Sequence, residues 1–494
     1  MLVLGWLALA WTELSHGGPR HEEAVAVAAL EGGDGLLRYD GRSGPAEAEA
    51  DSSLLKTLGP PPKVYEAPAG YAAAVRARPL RRSAAVFEWS RSYNCSGSEA
   101  RLNLLALWRG ALGSPMSLAA FVCGARCAAR EPELERAFGT LDMANYTLRG
   151  LLRLCKAATV PNLVRVRAGL VEVALCASKQ TARHELASSL RLLAGVARAV
   201  QLPDVVFGFD SNDYAVPQGH NPLKYASAGW THVLPGVVRL VAVDSHPVAL
   251  FPTSPAVRDA GFALGDRELQ LQPQPALLDW DAAEASLFWR GGSTGIPFDA
   301  DFMWHMPRPA LGRLARGEAG LDVGMTTSDG VSREMEELGI RELVRFADSV
   351  PSHAFSRFKY HIHVDGNTAS WGLSRKLHIG ALLLWQRSPV TFREYYYELL
   401  RPWEHYVPLE PDLSNLLQVR DWLATPRGQA EAREIRQRLV QLVKDRFRPE
   451  DMLCYIVRML HAQSALMDFA LPDLDKHPLA AGLVWEPVTL DRHR

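Results

Sequence analysis

Apolar positions recur along this chain in two rhythms. Between about residues 83 and 255, short apolar runs (Val164 to Val173, Val205 to Phe209, Val237 to Val243) alternate with amphipathic stretches. One such stretch is Glu185 to Val200, where Leu186, Leu190, Leu193 and Val196 fall on one helical face. The alternation resumes further on. Ser286 to Trp289 and Phe358 to Val364 read as strands, Ser374 to Leu384 as a helix leading into a strand, and 415–424 and 428–446 as helices. Strands alternating with helices in two blocks predict an α/β chain of two doubly wound halves. Elsewhere the rhythm fails. Residues 12 to about 80 are rich in Gly, Ala, Glu, Pro and Ser, include Gly59-Pro60-Pro61-Pro62, and read as a stem. A polar stretch around 266 to 283 separates the blocks, and the tail after Pro472 reads as irregular. The organisation expected is a signal peptide or short anchor (1–18), a stem (19–82), an N-terminal α/β domain (83–255), a C-terminal α/β domain (256–470) and a tail (471–494).

Composition narrows the classes. At 494 residues the chain is too long for one ordinary core. With 54 basic and 55 acidic side chains the net charge is -1, which argues against a nucleic acid or an anionic membrane as main partner. A local basic pocket stays open. Met1 to Trp11 is an apolar run of signal-peptide length, followed by the small residues Ser15, Gly17 and Gly18, but without a charged segment before it. Five of the six cysteines fall between Cys95 and Cys176, which suggests disulfides if the chain is lumenal. Cys123 and Cys127 lack a second pair at zinc-site spacing, so no zinc is expected there. Sequons at Asn94 and Asn145 agree with a secretory route, to the ER or the Golgi.

Four segments carry candidate chemistry. Ser286 to Gly295 (SLFWRGGSTG) is an apolar strand followed by Arg290 and a small-residue turn. Such a turn brings backbone N–H groups close to an anion, with Arg290 able to pair with a phosphate, although an ordinary strand-to-loop turn has the same composition. The same residues spell G-x-S-x-G with Ser293 as a nucleophile. The helix that a nucleophile elbow needs does not follow directly, since Ile296-Pro297-Phe298-Asp299 comes next. In Phe358 to Gly366 (FKYHIHVDG), His361, His363 and Asp365 share one strand face and form a formal metal triad without an evident further ligand cluster. The loop from Asp365 to Lys376 then joins that strand to a helix beginning near Ser374, Arg375 and Lys376. Cations at a helix start are unfavourable unless they serve an anionic ligand. Finally, Leu202 to Tyr214 (LPDVVFGFDSNDY) runs a buried strand into a loop carrying Asp210, Asn212 and Asp213, whose two carboxylates are placed either as a general base or as turn caps.

These segments together resemble glycosyltransferase family 90, the capsule-associated-protein and Rumi-like protein O-glucosyltransferase family. The most specific stretch is Arg357 to Leu416, with KYHIHVDGNTASWGLSRKL followed by R-P-W-x-H-Y-V-P and D-L-S-x-L; the resemblance covers roughly residues 185 to 465. It implies a GT-B fold, two Rossmann-like halves facing a cleft, and inverting transfer from a UDP-sugar, glucose or xylose, to a hydroxyl of a protein or glycan. By position it implies Asp213 as the catalytic base and Arg290 as a phosphate contact. Many members carry an arginine six residues after the loop glycine, where this chain has Gly372, so Arg375 or Lys376 is expected to supply that charge. The donor site expected is therefore Arg290, Gly291, Ser293, Thr294, Asn367, Ser370, Ser374, Arg375 and Lys376. No metal is required, because cations and a helix N-terminus can neutralise the diphosphate. Trp371, Trp403, His405 and Tyr406 are either nucleoside contacts or core. The chain ends LDRHR, without the ER-retention tetrapeptide of some members. Two rivals stand: a hydrolase using Ser293 or the His361/His363/Asp365 face, and a non-catalytic carbohydrate-binding protein on the same fold.

Overall fold

The computed structural model describes residues 95, 114–128, 131–141, 146–157, 160–176, 183–211, 236–243, 248–264, 269–271, 277–292, 307–326, 340–366, 368–386 and 392–489. The chain divides after Pro60 into two units, and every described residue lies in the second. Helices α1 (Leu118–Ala125), α2 (Pro132–Leu141) and α3 (Leu148–Lys156) precede the first sheet. That sheet takes β1 (Asn162–Arg167), β2 (Leu170–Leu175), then, after helix α4 (Arg183–Ala199), β3 (Val205–Asp210) and β4 (Val237–Arg239). The two-residue β5 (Ala242–Val243) leaves it and β6 (Ala249–Leu250) closes it. Leu186, Leu190, Leu193 and Val196 of α4 are buried, as their spacing predicts.

Two apolar runs are broken where the sequence read as continuous. Val164 to Val173 is not one strand but the hairpin β1–β2, registered Val164↔Val173 and Arg167↔Leu170. Ala168 and Gly169, at φ 47° and 79°, form a two-residue turn with both residues left-handed, the geometry whose twist suits a tight hairpin. Val237 to Val243 is interrupted after Arg239, a fully buried side chain turned toward the Asp210 carboxylate at 3.4 Å.

After α5 (Ser254–Asp259) and the hairpin of β7 (Phe262–Leu264) and β8 (Leu269–Leu271), the second sheet begins. Its strands are β9 (Glu284–Gly291), β10 (Leu321–Met325), β11 (Phe358–His363), β12 (Leu382–Gln386) and, past the two-residue β13 (Phe392–Arg393), β14 (Val407–Leu409). All pairings are parallel, in the order β10-β9-β11-β12-β14. Helix α6 (Pro307–Leu314) lies between β9 and β10 in the chain, α7 (Ile340–Leu343) follows β10, and α8 (Gly372–Ile379) joins β11 to β12. Ile362, Val364, Leu382 and Leu384 pack into one core, whereas Leu383 and Trp385 point into the core of the first sheet. Period-two alternation thus buries both faces of this sheet, as parallel sheets require.

Helices α9 (Leu416–Ala424), α10 (Pro426–Arg446), α11 (Pro449–Leu466) and α12 (Leu471–Lys476) follow. Helix α11 is buried around most of its circumference, and Cys454 within it is bonded to Cys127. Cys95–Cys123 and Cys155–Cys176 complete three disulfides. The tail expected to be irregular instead forms α12 and β15 (Glu486–Pro487), which adds antiparallel to β2 and edges the first sheet. The Trp485 ring packs under the Arg165 guanidinium beside it at 4.1 Å, so the segment docks through side chains as well as backbone. Among the described residues no helix is long and apolar enough to cross a membrane.

Candidate functional site

In chain order the five parallel strands lie second-first-third-fourth-fifth, so the order reverses between β9 and β11. Loops leaving neighbouring strands at such a point diverge to opposite faces of the sheet and open a crevice at the carboxyl ends, where open α/β sheets bind ligands. Here β9 runs out through Gly291 and Gly292, and β11 through Val364, Asp365 and Gly366. A Cβ on Gly291 would lie 2.5 Å from the Trp289 indole, so that ring would have to shift to admit a side chain there. Past β11 the loop folds on itself: the Gly366 N–H donates to the Thr368 carbonyl at 2.9 Å, and the Ser370 N–H to Asp365 Oδ1 at 3.2 Å.

The side chain that occupies the reversal point is Arg308, in the first turn of α6. Its Nε donates to the Asp365 carbonyl at 3.1 Å and its Nη1 to the Gly292 carbonyl at 3.0 Å. One guanidinium thereby ties together the ends of β9 and β11. Around it sits a buried titratable group of residues. The Asp365 carboxyl is raised to about 7 by burial, against the Ser370 N–H and the Arg308 charge. Lys376 is lowered to about 7 by burial and by Arg308. His363 is pushed well below its ordinary value by burial, then by Lys376 and Arg308, and its Nε2 lies 4.0 Å from Asp365 Oδ1.

The residues nominated from sequence divide three ways. Gly291 and Ser370 lie at the reversal point. Asp213, Ser293, Thr294 and Asn367 lie outside the described residues, as do Asn94 and Asn145. The nominated cations are turned to protein partners. Arg290 folds back along its own sheet, donating to the carbonyls of Asp322 (2.7 Å) and Asp348 (3.2 Å) and pairing with the Asp322 carboxylate at 2.6 Å. Arg375 pairs at 2.7 Å with the buried Asp259 of α5; Ser374 and His378 lie against the same carboxylate, which burial pushes up. Lys376 is buried and donates to the Ile362 carbonyl at 2.6 Å, joining the helix after the loop to the strand before it. Gly372 is exposed, and the nearest atom to a side chain there would be Ser370 Oγ at 3.9 Å.

The remaining candidates are placed as follows. His361 is buried among Phe288, Phe355 and Phe358, with Nε2 2.9 Å from the Phe355 carbonyl. Among the described residues no three His, Cys, Asp or Glu side chains converge as metal ligands. Trp371 is half-buried at the start of α8, and among the described residues nothing accepts its indole N–H. Tyr406 is core, its ring tilted against that of Trp385 at 4.9 Å between centroids, and with Trp403 and His405 it immediately precedes β14. Sequence reasoning passed over Arg308. The signal was present: Pro307-Arg308-Pro309 marks a helix start, and an arginine in a first turn is as unfavourable there as at Arg375.

Residues 325–476, from the end of β10 to the end of α12, match the family described as Glycosyl transferase family 90. Over this part the chain is similar to glycosyltransferase family 90. Curated relatives are distant in sequence. Protein O-glucosyltransferase 3 of Rattus norvegicus is 26% identical over 275 residues, which is 54% of this chain and 48% of that protein. The Homo sapiens protein of the same name is 26% identical over 273 residues, with the same two shares. O-glucosyltransferase rumi of Drosophila melanogaster is 23% identical over 207 residues, 42% of this chain and 47% of that protein. The chain thus matches about half the length of these relatives.

Proposed function

We propose that this chain is an inverting glycosyltransferase, with its two sheets forming the two halves of a GT-B fold, in an oxidising secretory lumen. The reaction moves a sugar, glucose or xylose, from UDP to a hydroxyl of a protein or glycan acceptor. The observation that carries the reading is the strand-order reversal between β9 and β11, where the glycine-bearing ends of both strands are tied to one arginine, Arg308. In this reading the donor diphosphate is neutralised by the loops that follow β9 and β11, the segments Gly291 to Thr294 and Asn367 to Ser370, and no metal is needed. Asp213, three residues past the end of β3, takes the acceptor's hydroxyl proton as that oxygen bonds to the anomeric carbon. The bond from that carbon to the phosphate oxygen breaks, and its electron pair leaves with UDP. The three disulfides support the oxidising compartment.

The test is binding and slow hydrolysis across a panel of UDP-sugars, with and without EDTA, for the wild type and Asp213→Asn. Selective, EDTA-resistant binding by both proteins, with turnover lost by about a hundredfold or more in the variant, supports the proposal. Turnover unchanged in Asp213→Asn rejects the base, and no binding of any nucleotide sugar rejects the transferase. The exposed Gly372, where many members carry an arginine, favours one alternative, a carbohydrate-binding protein on the same fold. Saturable sugar binding with no donor consumed would establish it.

A further inference from the structure

We infer that Trp403 and Trp422 form a stacking platform for one pyranose ring of a neutral oligosaccharide, on a surface apart from the strand-order reversal. The platform precedes β14, whereas the loops at the reversal point follow their strands. This site does not depend on a nucleotide sugar binding at the reversal point.

Trp403 is 54% exposed, although indoles are mostly buried. Its backbone stands at φ 62°, a left-handed conformation that bulky residues rarely adopt and glycine takes without strain. An indole is therefore held at the surface against the local backbone preference. Hydrogen bonds fix it there. The Trp403 N–H donates to the Tyr406 carbonyl at 2.7 Å and the His405 N–H to the Arg401 carbonyl at 2.9 Å. From α10, Arg438 donates to the carbonyls of Glu404 at 3.0 Å and Trp403 at 3.3 Å. A strained residue persists only where its surroundings over-determine it, and such residues cluster where ligands are held. Trp422 of α9, half-buried, stands across from Trp403 with ring centroids 6.1 Å apart and planes at 83°. The perpendicular pair makes a corner whose open wall is the Trp403 ring.

Size and charge select the occupant. Among the described residues the other exposed large apolar side chains are Leu170 and Leu175 of β2, Leu277 before β9 and Val484 before β15. None belongs to this loop, to α9 or to α10. One aromatic side chain buries about 150–250 Å², far below the roughly 800 Å² that each partner of a stable protein interface covers. It matches a single sugar ring instead. The rim carries both signs, with Arg401 and Glu404 paired at 3.4 Å and Arg438 and Glu434 at 3.8 Å. These solvent-facing pairs offer donors and acceptors to hydroxyls while balancing in charge. They give an anionic ligand or an anionic membrane surface no net cation to seek. The C–H groups of a pyranose form an apolar face that lies on an indole, and its edge hydroxyls then reach the rim.

The experiment is saturation-transfer NMR on the full chain with maltopentaose, cellopentaose and xylopentaose in turn, with and without UDP, for the wild type, Trp403→Gly and Trp403→Phe. We expect transfer to at least one of the three, with a dissociation constant in the millimolar range that UDP leaves unchanged. Trp403→Gly should weaken that binding by about tenfold or more, and Trp403→Phe, which keeps a ring, should stay within about threefold of the wild type. The melting temperature of Trp403→Gly should lie within about 4 °C of the wild type's, because glycine accepts the left-handed backbone. Should that variant not fold, Trp403→Asn, which also tolerates this backbone, takes its place. No transfer from the wild type to any of the three sugars overturns the inference. So does undiminished binding by Trp403→Gly, whatever its melting temperature, since the ring then serves packing alone. Displacement of the sugar by UDP overturns it too, by placing the sugar at the reversal point. Sedimentation with vesicles of phosphatidylcholine and phosphatidylserine is the last arm: wild-type binding that Trp403→Gly abolishes, without transfer to the sugars, would make the indole a membrane anchor and overturn the inference. A wild type that binds an oligosaccharide through Trp403 but no UDP rejects the transferase reading and leaves this site standing.

Discussion

Acid should destabilise this protein through His361, and the size of the effect follows from where the ring sits. The imidazole is fully buried among Phe288, Phe355 and Phe358, with its Nε2 2.9 Å from the Phe355 carbonyl. Its pKa is lowered to about 3, first by burial and then by repulsion from Lys376, against the pull of the Phe355 and Phe358 carbonyls. A histidine whose folded pKa is depressed contributes its full stability above the unfolded value of about 6.5. That contribution falls as the pH drops below 6.5, because the unfolded chain takes a proton that the folded chain refuses. The loss is about 1.4 kcal/mol per pH unit, or about 2–3 kcal/mol between pH 6.5 and 4.5. Phenylalanine at this position keeps the ring among its aromatic neighbours and cannot be protonated. At pH 7, His361→Phe should cost about 1 kcal/mol for the lost hydrogen bond. Denaturant unfolding followed by tryptophan fluorescence at pH 7 and 4.5 measures both proteins. The wild type should lose about 2–3 kcal/mol more than the variant on acidification. His363 and His461, also held below their ordinary values, contribute equally to both proteins and drop out of the difference. Equal losses in the two proteins would refute the account.

Two further outcomes follow from packing and covalent structure. Replacing Cys127 and Cys454 together by alanine should lower stability by about 3–5 kcal/mol, because that bond closes a loop of several hundred residues; an unfolding midpoint equal to the wild type's would show that the link does not constrain the unfolded chain. Gly236, at φ 77°, leaves no room for a side chain, since a Cβ there would lie 2.0 Å from the Tyr146 ring. Gly236→Ala should cost about 3 kcal/mol from overpacking and a left-handed backbone, seen as a lowered thermal midpoint, and an unchanged midpoint would mean that Tyr146 has somewhere else to go.

What could be read from the sequence was whatever the chain encodes over one or two turns. The face of α4 and the strands β3, β11 and β12 follow from side-chain periodicity, which local backbone geometry imposes directly. The hairpin at Ala168-Gly169 was missed because Val164 to Val173 stays apolar enough on either side to pass for one buried strand. Its turn was marked by a single glycine, beside an alanine that rarely takes a left-handed backbone. Strand β15 was missed because two residues carry no period, and its partner β2 lies far back in the sequence. The site behaved likewise. The glycine loops were visible as motifs, and Gly291 and Ser370 do lie at the reversal point. The partners of Arg290, Arg375 and Lys376 come from β10, α5 and β11, and no local spacing announces that Asp259 stands opposite Arg375. Arg308 reaches the site only because the strand order is what it is.

The return of β15 to β2 also has a temporal side. Roughly 300 residues separate Leu175 from Glu486, so at typical synthesis rates of about 5–20 residues per second the outer edge of the first sheet waits roughly 15 to 60 s for its last strand. Cys127 waits almost as long for Cys454. During that interval the β2 backbone offers its open edge to whatever is nearby, and Cys127 is available to bond with the wrong thiol. Neither that edge nor that sulfur bond can therefore be completed before the tail is made.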